Sequence, residues 1–227
     1  MPRVLADLAW REVPDAPLVL VPVGSLEQHG PHLPLETDTL IATAVAERAA
    51  ARVDAVLAPA LGYGSSGEHQ SFAGTVSIGT EALTHLLVEL TRSLATWAGR
   101  VVYVNGHGGN LSALKEAVGQ LQVEGHDVDW VPCATEPPHL PGADLHAGLT
   151  ETSLLLHLCP ERVRTDRLEV GNAAPLREIL PAMIEGGVAA VSANGVLGDP
   201  RAASAEQGEQ ILAELVDRVV EALVEAL

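Results

Sequence analysis

A chain of 227 residues, 47% hydrophobic but only 3% aromatic, is long enough to bury a core, and that core must be built from Ala, Val and Leu. Its 30 acidic residues outweigh 13 basic ones to give a net charge of −17 and a pI near 4.7, which disfavours nucleic acid as a partner, while a mean hydropathy of +0.21 argues against a disordered chain. Two cysteines, Cys133 and Cys159, are too few for a disulfide scaffold and suit a reducing cytosol as inert core thiols. No apolar run approaches the ~20 residues that span a bilayer, and residues 1–10 lack the apolar stretch of a signal peptide, so a cytoplasmic protein without a membrane partner is expected.

Leu18–Val23 (LVLVPV) is a short apolar run that reads as a buried strand. Residues 38–53 are Ala-rich with helical spacing, residues 54–59 read as a second strand, and a Gly/Ser loop covers residues 62–74. Residues 80–98 place Leu83, Leu86, Leu87, Leu90 and Leu94 on one face of a helix that stops at Gly99. Arg100–Asn105 (RVVYVN) is another buried strand, Asn110 is placed to cap a helix running through Val123, and residues 128–133 form a further strand. Residues 135–144 are a Pro-rich loop, and helices are expected at 147–158 and 203–226. Strands alternating with helices predict an α/β fold, a single three-layer α/β/α domain over residues 1–227 with a mostly parallel sheet. Ligands of such sheets bind at the carboxyl ends of strands, where two unusual polar segments fall, residues 24–38 and 105–110.

The first of these, GSLEQHGPHLPLETD, gathers Glu27, His29, His32, Glu36 and Asp38 around Pro31 and Pro34. Glu27 and His29 project to one side of an extended backbone, and the Gly-Pro loop lets Asp38 return to them. Mixed carboxylate and imidazole donors suit Zn²⁺, Mn²⁺ or Fe²⁺, the competing reading being a solvated loop with incidental histidines. NGHGGN places His107 among glycines, which permit close approach to a phosphate or a metal. The phosphate reading is the weaker, because there is no full G-x-G-x-x-G and Lys115 is the only lysine. HAGLTETS offers His146 and Glu151, which converge only if His146 precedes its helix; a capping arrangement with Thr150 or Asp144 is the competing reading of Glu151. GYGSSGEHQSFAGT, residues 62–75, sets Ser65, Ser66, Glu68 and His69 on a loop suited to be a substrate wall and lacks the elbow of a serine hydrolase.

PVGSLEQHGPHLPLETD, NGHGGN and HAGLTETS resemble three signature blocks of the creatininase family of metal-dependent amide hydrolases, and GVLGDPRAASAEQG, residues 195–208, resembles its fourth. The resemblance runs in order over nearly the whole chain. It implies two divalent ions (Zn, Fe or Mn) held by Glu27, His29, Asp38 and His107, with Asp38 as the bridge and His146 as the catalytic histidine. Creatininase itself carries a Glu two residues after the His107 position; this chain has Gly109, and Glu151 is the candidate replacement. Ala73 stands where the family usually has Pro. The implied reaction is metal-assisted C–N hydrolysis, in which water is acidified, the carbonyl is polarised, and His146 moves a proton to the departing amine.

Within the family, the compact length and wording resemble the peptidase branch that cleaves the modified C-terminal Val-Tyr end of a ribosomally made precursor peptide, so a modified precursor peptide is the expected substrate. The alternative is a small cyclic amide or a formamide. Creatinine is disfavoured, because creatininase surrounds it with tryptophans from the loop before the catalytic histidine and residues 135–144 contain no aromatic. A non-catalytic metal-binding module would have no need of His146. The resemblance further implies a homo-oligomer, commonly a hexamer.

Overall fold

The central strands form where the sequence is most continuously apolar. β2 (Leu18–Val23) and β4 (Arg100–Asn105) pair in parallel over their full length, from Leu18 opposite Arg100 to Val23 opposite Asn105. The structure, a computed structural model, describes residues 2–134 and 144–225. β1 (Arg3–Val4) and β3 (Val56–Leu57) extend the sheet on one side and β5 (Val128–Pro132) on the other, giving the all-parallel order β1-β3-β2-β4-β5.

Alternation along the strands splits the core in two. Val19, Val21, Val23, Val101 and Tyr103 face α2 (Thr80–Leu94) and α3 (Leu111–Val123). Leu20, Val102 and Val104 face α1 (Thr37–Val53), α4 (Leu149–Leu158) and α6 (Ala205–Glu225). This is the α/β arrangement expected, with helices on both faces. On α1, Ala42, Ala46, Ala49 and Ala50 are fully buried, and their short side chains let the helix lie close to the sheet. Tyr103 is the aromatic that the core encloses completely; its hydroxyl donates to the Leu87 carbonyl at 3.1 Å and meets Thr91 Oγ1 at 2.7 Å, so the buried polar atom is satisfied. Among the described residues, no helix is long and apolar enough to cross a membrane.

Several boundaries differ from expectation for local reasons. β3 is only two residues, because Asp54 takes a left-handed conformation (φ 53°) to end α1. α2 stops at Leu94 rather than Ala98, where the chain tightens with Trp97 N–H on the Leu94 carbonyl before Gly99 N–H bonds the Pro17 carbonyl. β5 ends one residue early, at Pro132. α4 begins at Leu149 rather than 147, since Ala147 has φ 50° and Gly148 is the cap. α6 begins at Ala205, where Ser204 Oγ accepts from Gln207 N–H at 3.2 Å. Asn110 precedes α3 but makes no capping bond with its side chain. The expected end of the last helix at 226 and residues 135–143 of the Pro-rich loop lie outside the described residues. β1 and α5 (Leu176–Gly186) were not expected: two residues carry no periodic signal, and α5 contains Pro181.

The chain leaves β2 for β3 on one side and then crosses to β4 on the other, so the topological switch lies between β2 and β4. The loops after Val23 and Asn105 part there, and α1 starts between them. A Cβ at Gly24 would lie 2.5 Å from the Thr39 nitrogen and one at Gly106 would lie 2.5 Å from the Asp38 carbonyl oxygen, so both glycines are required for the first turn of α1 to seat against the strand ends.

Candidate active site

That first turn carries Asp38, buried and close to the positive end of the helix dipole. Its two oxygens diverge. Oδ1 lies 3.0 Å from His29 Nε2, and Oδ2 lies 3.2 Å from His107 Nδ1 and accepts from Ser25 Oγ at 2.6 Å. Around Oδ2 gather Glu27 and His107, with Glu27 Oε2 3.2 Å from His107 Nε2. On the Oδ1 side, His29 Nε2 is 3.9 Å from Glu151 Oε2, and His146 joins the same group. Three segments distant in sequence thus meet at one rim of the sheet.

The donor chemistry fits metal ions. Neither carboxylate oxygen of Glu27 accepts a hydrogen bond, although both are fully buried, and such a group is costly unless a cation is provided. His29 donates Nδ1–H to the Glu27 carbonyl oxygen at 3.1 Å, which fixes the tautomer and leaves Nε2 as the ligand atom. Glu151 accepts from Ala147 N–H at 2.6 Å, while Asp144 takes the Thr150 N–H at 2.8 Å and the Thr150 hydroxyl. Both the ligand and the capping readings of Glu151 therefore have a structural basis, with Asp144 carrying the main cap.

The electrostatics are those of a buried anionic pocket. Burial and then the Asp38 charge push Glu27 up to about 7. Burial raises Glu151 to about 7 against the pull of His29. Burial opposes charge on His29, but Asp38, Glu151 and Glu27 overcome it and push the imidazole up to about 10. His107 is likewise carried against burial to about 9 by Asp38 and Glu27. Burial would raise Asp38, yet His29 and His107 hold it well below the ordinary carboxylate range. The pocket holds its carboxylates only with compensating positive charge, which divalent ions would supply.

Gln28, which sequence reasoning passed over, organises the remaining imidazoles. Its amide donates to the Gly195 carbonyl oxygen at 3.0 Å and to His69 Nδ1 at 2.9 Å, and its own backbone carbonyl lies 2.7 Å from His146 Nε2. His146 must therefore donate from Nε2, which turns the Nδ1 lone pair toward Glu27 Oε1 at 3.7 Å. Burial, with His29 nearby, lowers His69 to about 3 and keeps His146 well below its ordinary value, so both are neutral. His146 is anchored by backbone bonds to Leu197, from the fourth family-like block. Its neighbour Ala147, fully buried at φ 50°, is one of the few non-glycine residues in the left-handed region.

Other expected residues sit elsewhere. Glu36 points outward to Arg162 at 2.5 Å. His32 is buried against Thr152 Oγ1 at 2.9 Å and is lowered to about 4 by burial and His29. Ser65 turns its hydroxyl to Thr80 and offers only its carbonyl oxygen, 3.1 Å from His107 Nε2; Ser66 Oγ lies 3.5 Å from the same nitrogen. The serine hydroxyls therefore do not form the expected substrate wall, whereas Glu68 and His69 do line the cavity. Cys159 packs on the core, while Cys133 borders the centre and its thiol is pushed up to about 12 by burial and Asp38. Asn110, expected as a cap, instead ties three loops together by bonding Ser65 N–H, the Gly24 carbonyl and Asn105 Oδ1.

Two cavities meet the centre. One of about 250 Å³ reaches Asp38, Cys133, Asp144 and Glu151. The other, about 800 Å³, has Glu27, His107 and His146 at its floor and an apolar wall from α5, chiefly Leu176, Leu180, Met183 and Ile184. Sequence reasoning missed this wall because the helix that carries it was not recognised.

Buried carboxylates and imidazoles gathered about both oxygens of one aspartate, at the switch point of a parallel sheet, form a site of the kind a metal-dependent hydrolase uses. Residues 6–223 match the family model for creatininase, creatinine amidohydrolase, and the chain belongs to the creatininase family, whose members hydrolyse C–N bonds. It is 58% identical over 215 residues to the mycofactocin precursor peptide peptidase of Mycobacterium tuberculosis, spanning 90% of this chain and 84% of that protein. It is 34% identical to the creatinine amidohydrolase of Pseudomonas putida, spanning 97% and 96% of the two chains. A solved creatininase with Mn superposes with a TM-score of 0.83 at 30% identity, over 100% of this chain and 99% of the other. The expected family and fold are thereby established.

Proposed function

We propose that the chain is a dinuclear peptidase that cuts a modified precursor peptide; its 58%-identical relative is named a precursor peptide peptidase. The observation that carries this reading is the cavity of about 800 Å³, which is apolar on its α5 side and opens directly on Glu27, His107 and His146. A small cyclic amide or a formamide would leave most of that space unfilled, whereas apolar peptide side chains bury well there.

Glu27, Asp38 and His107 would hold one divalent ion. His29, which lies 3.0 Å from Asp38 and 3.9 Å from Glu151, would hold the other with those two carboxylates, and Zn, Fe and Mn are all compatible with these donors. When bound, such ions lower the pKa of water toward neutrality and polarise the amide carbonyl. This chain's own residues do the rest. His29 keeps its ligand nitrogen bare by donating Nδ1–H to the Glu27 carbonyl. His146, neutral and held through Nε2 by the Gln28 carbonyl, receives a proton at Nδ1 and delivers it to the departing amine. The α5 wall excludes water and seats the apolar substrate side chain. Assembly as a homo-oligomer and residence in the cytoplasm belong to the same reading.

Incubating the metal-reconstituted protein with modified precursor peptide, creatinine and formamides, with mass spectrometry of the products, tests it. Release of a small C-terminal fragment from the peptide alone is expected; turnover of only the small amides refutes the peptidase reading.

A further inference from the structure

The Glu27–Asp38–His107 group has a further acidic neighbour. Glu68, on the short 3-10 turn Gly67–His69, brings Oε1 to 3.6 Å from His107 Nε2, the nitrogen that Glu27 Oε2 approaches at 3.2 Å. The reason it can do so lies at Gly109. A Cβ there would collide with the Ser65 carbonyl oxygen and the His107 ring and would come 2.6 Å from Glu68 Oε1. The space that a side chain at 109 would need is therefore taken by a carboxylate arriving from another loop. The turn is held from behind as well, because a Cβ on Gly187, just beyond α5, would lie 2.6 Å from the Glu68 carbonyl oxygen. The orphaned oxygens of Glu27 show that this half of the centre leaves a buried carboxylate without a hydrogen-bond donor. Counting Glu27, Asp38, Glu68 and Glu151 gives four carboxylates, which match the charge of two divalent ions.

We propose that Glu68 is a metal ligand, completing the position formed by Glu27, Asp38 and His107. The assignment rests on the dinuclear reading above. It makes the loop at residues 62–75 part of the centre rather than a wall alone, and it gives the Glu27 ion a second carboxylate of its own besides the shared Asp38.

The test is metal binding itself. Metal-free wild-type, Glu68→Gln and Glu68→Asp proteins are titrated with Co²⁺ and followed by visible absorption and metal counting, with circular dichroism to verify folding. The wild type is expected to take up two ions. Glu68→Gln should bind one of them at least about tenfold more weakly, with an altered spectrum for that ion, and Glu68→Asp should recover part of the loss. Uptake of both ions by Glu68→Gln with wild-type affinity and spectrum, even with a raised KM, makes Glu68 a wall residue and overturns the assignment while leaving the dinuclear reading intact. Uptake of fewer than two ions by the wild type overturns the dinuclear reading and this assignment with it.

Discussion

The two halves of the centre are supported in different ways. On the His29 side the backbone positions each donor: the Glu27 carbonyl takes His29 Nδ1–H, and Ala147 N–H holds Glu151. That half faces the smaller, more polar cavity. On the His107 side, Glu27 has two unbonded buried oxygens, and the imidazole faces Asp38, Glu27, Glu68 and the Ser65 carbonyl at once. That half opens on the large apolar cavity. A closed, pre-set coordination shell suits an ion that stays in place; an open one leaves room for a reacting group beside the ion. The asymmetry supports the proposed reading in which the reaction takes place on the His107 side.

Asp38 belongs to both halves, so its removal should erase the comparison. Asp38→Ala is expected to lose both ions and to reduce kcat by roughly four orders of magnitude or more, the scale of several kcal/mol supplied by metal-assisted charge stabilisation. Metal analysis together with a peptide cleavage assay measures this, and a purified variant with full metal content and turnover would defeat the bridging role. His146→Ala sharpens the same contrast. If the histidine handles a proton, kcat should fall by about 10²–10⁴ with both ions retained. Loss of an ion would instead make it a ligand of the His29 half, with which it also clusters.

The parts legible in the sequence were those whose signals are local. β2 and β4 are unbroken apolar runs, and the rim at their ends follows from strand–helix alternation. Glu27, His29 and Asp38 lie within one short segment, a loop that runs into the first turn of α1, so their convergence needed no distant partner. Gln28 was not legible: a neighbour of Glu27 in an extended segment should point away, and its role arises from His69 and Gly195, which are 41 and 167 residues away. The two serines were assigned to the wall by residue type, but Thr80 draws the Ser65 hydroxyl inward. The α5 wall was hidden by Pro181, which in sequence argues against a helix interior.

Proton occupancy should separate the metal-free protein from the loaded one. In the metal-free fold, Glu27 and Glu151 are raised from 4.5 to about 7, and His29 and His107 from 6.5 to about 10 and about 9. His32, His69 and His146 are lowered and act oppositely below their ordinary 6.5, offsetting the two carboxylates there. Between about pH 6.5 and 10 the folded state therefore binds more protons than the unfolded chain, and stability falls as pH rises through that window. Asp38, held low, acts oppositely but only in acid, below its ordinary 3.8. Metal-free protein should thus melt at least about 5 °C lower at pH 9 than at pH 6.5. Metal-loaded protein should not follow that fall, because bound ions displace the same protons. Scanning calorimetry of both forms distinguishes them, and parallel pH profiles would contradict these proton assignments.

The smallest expected effect falls on the open half alone. Leu180 is 38% exposed on α5 and faces the cavity well away from any ligand atom, so shortening it leaves the centre untouched. Burial of the missing carbons against an apolar peptide side chain is worth about 1 kcal/mol, so Leu180→Ala should raise KM about fivefold for the peptide. Because the wall makes its contact equally in the ground and transition states, kcat should stay near wild type. Metal content should be unchanged, which sets the wall apart from the ligands. A fall in kcat with KM unaltered would mean that α5 acts on the reacting centre rather than on the substrate's side chain, and the division between a holding half and a reaction half would have to be redrawn through the helix itself.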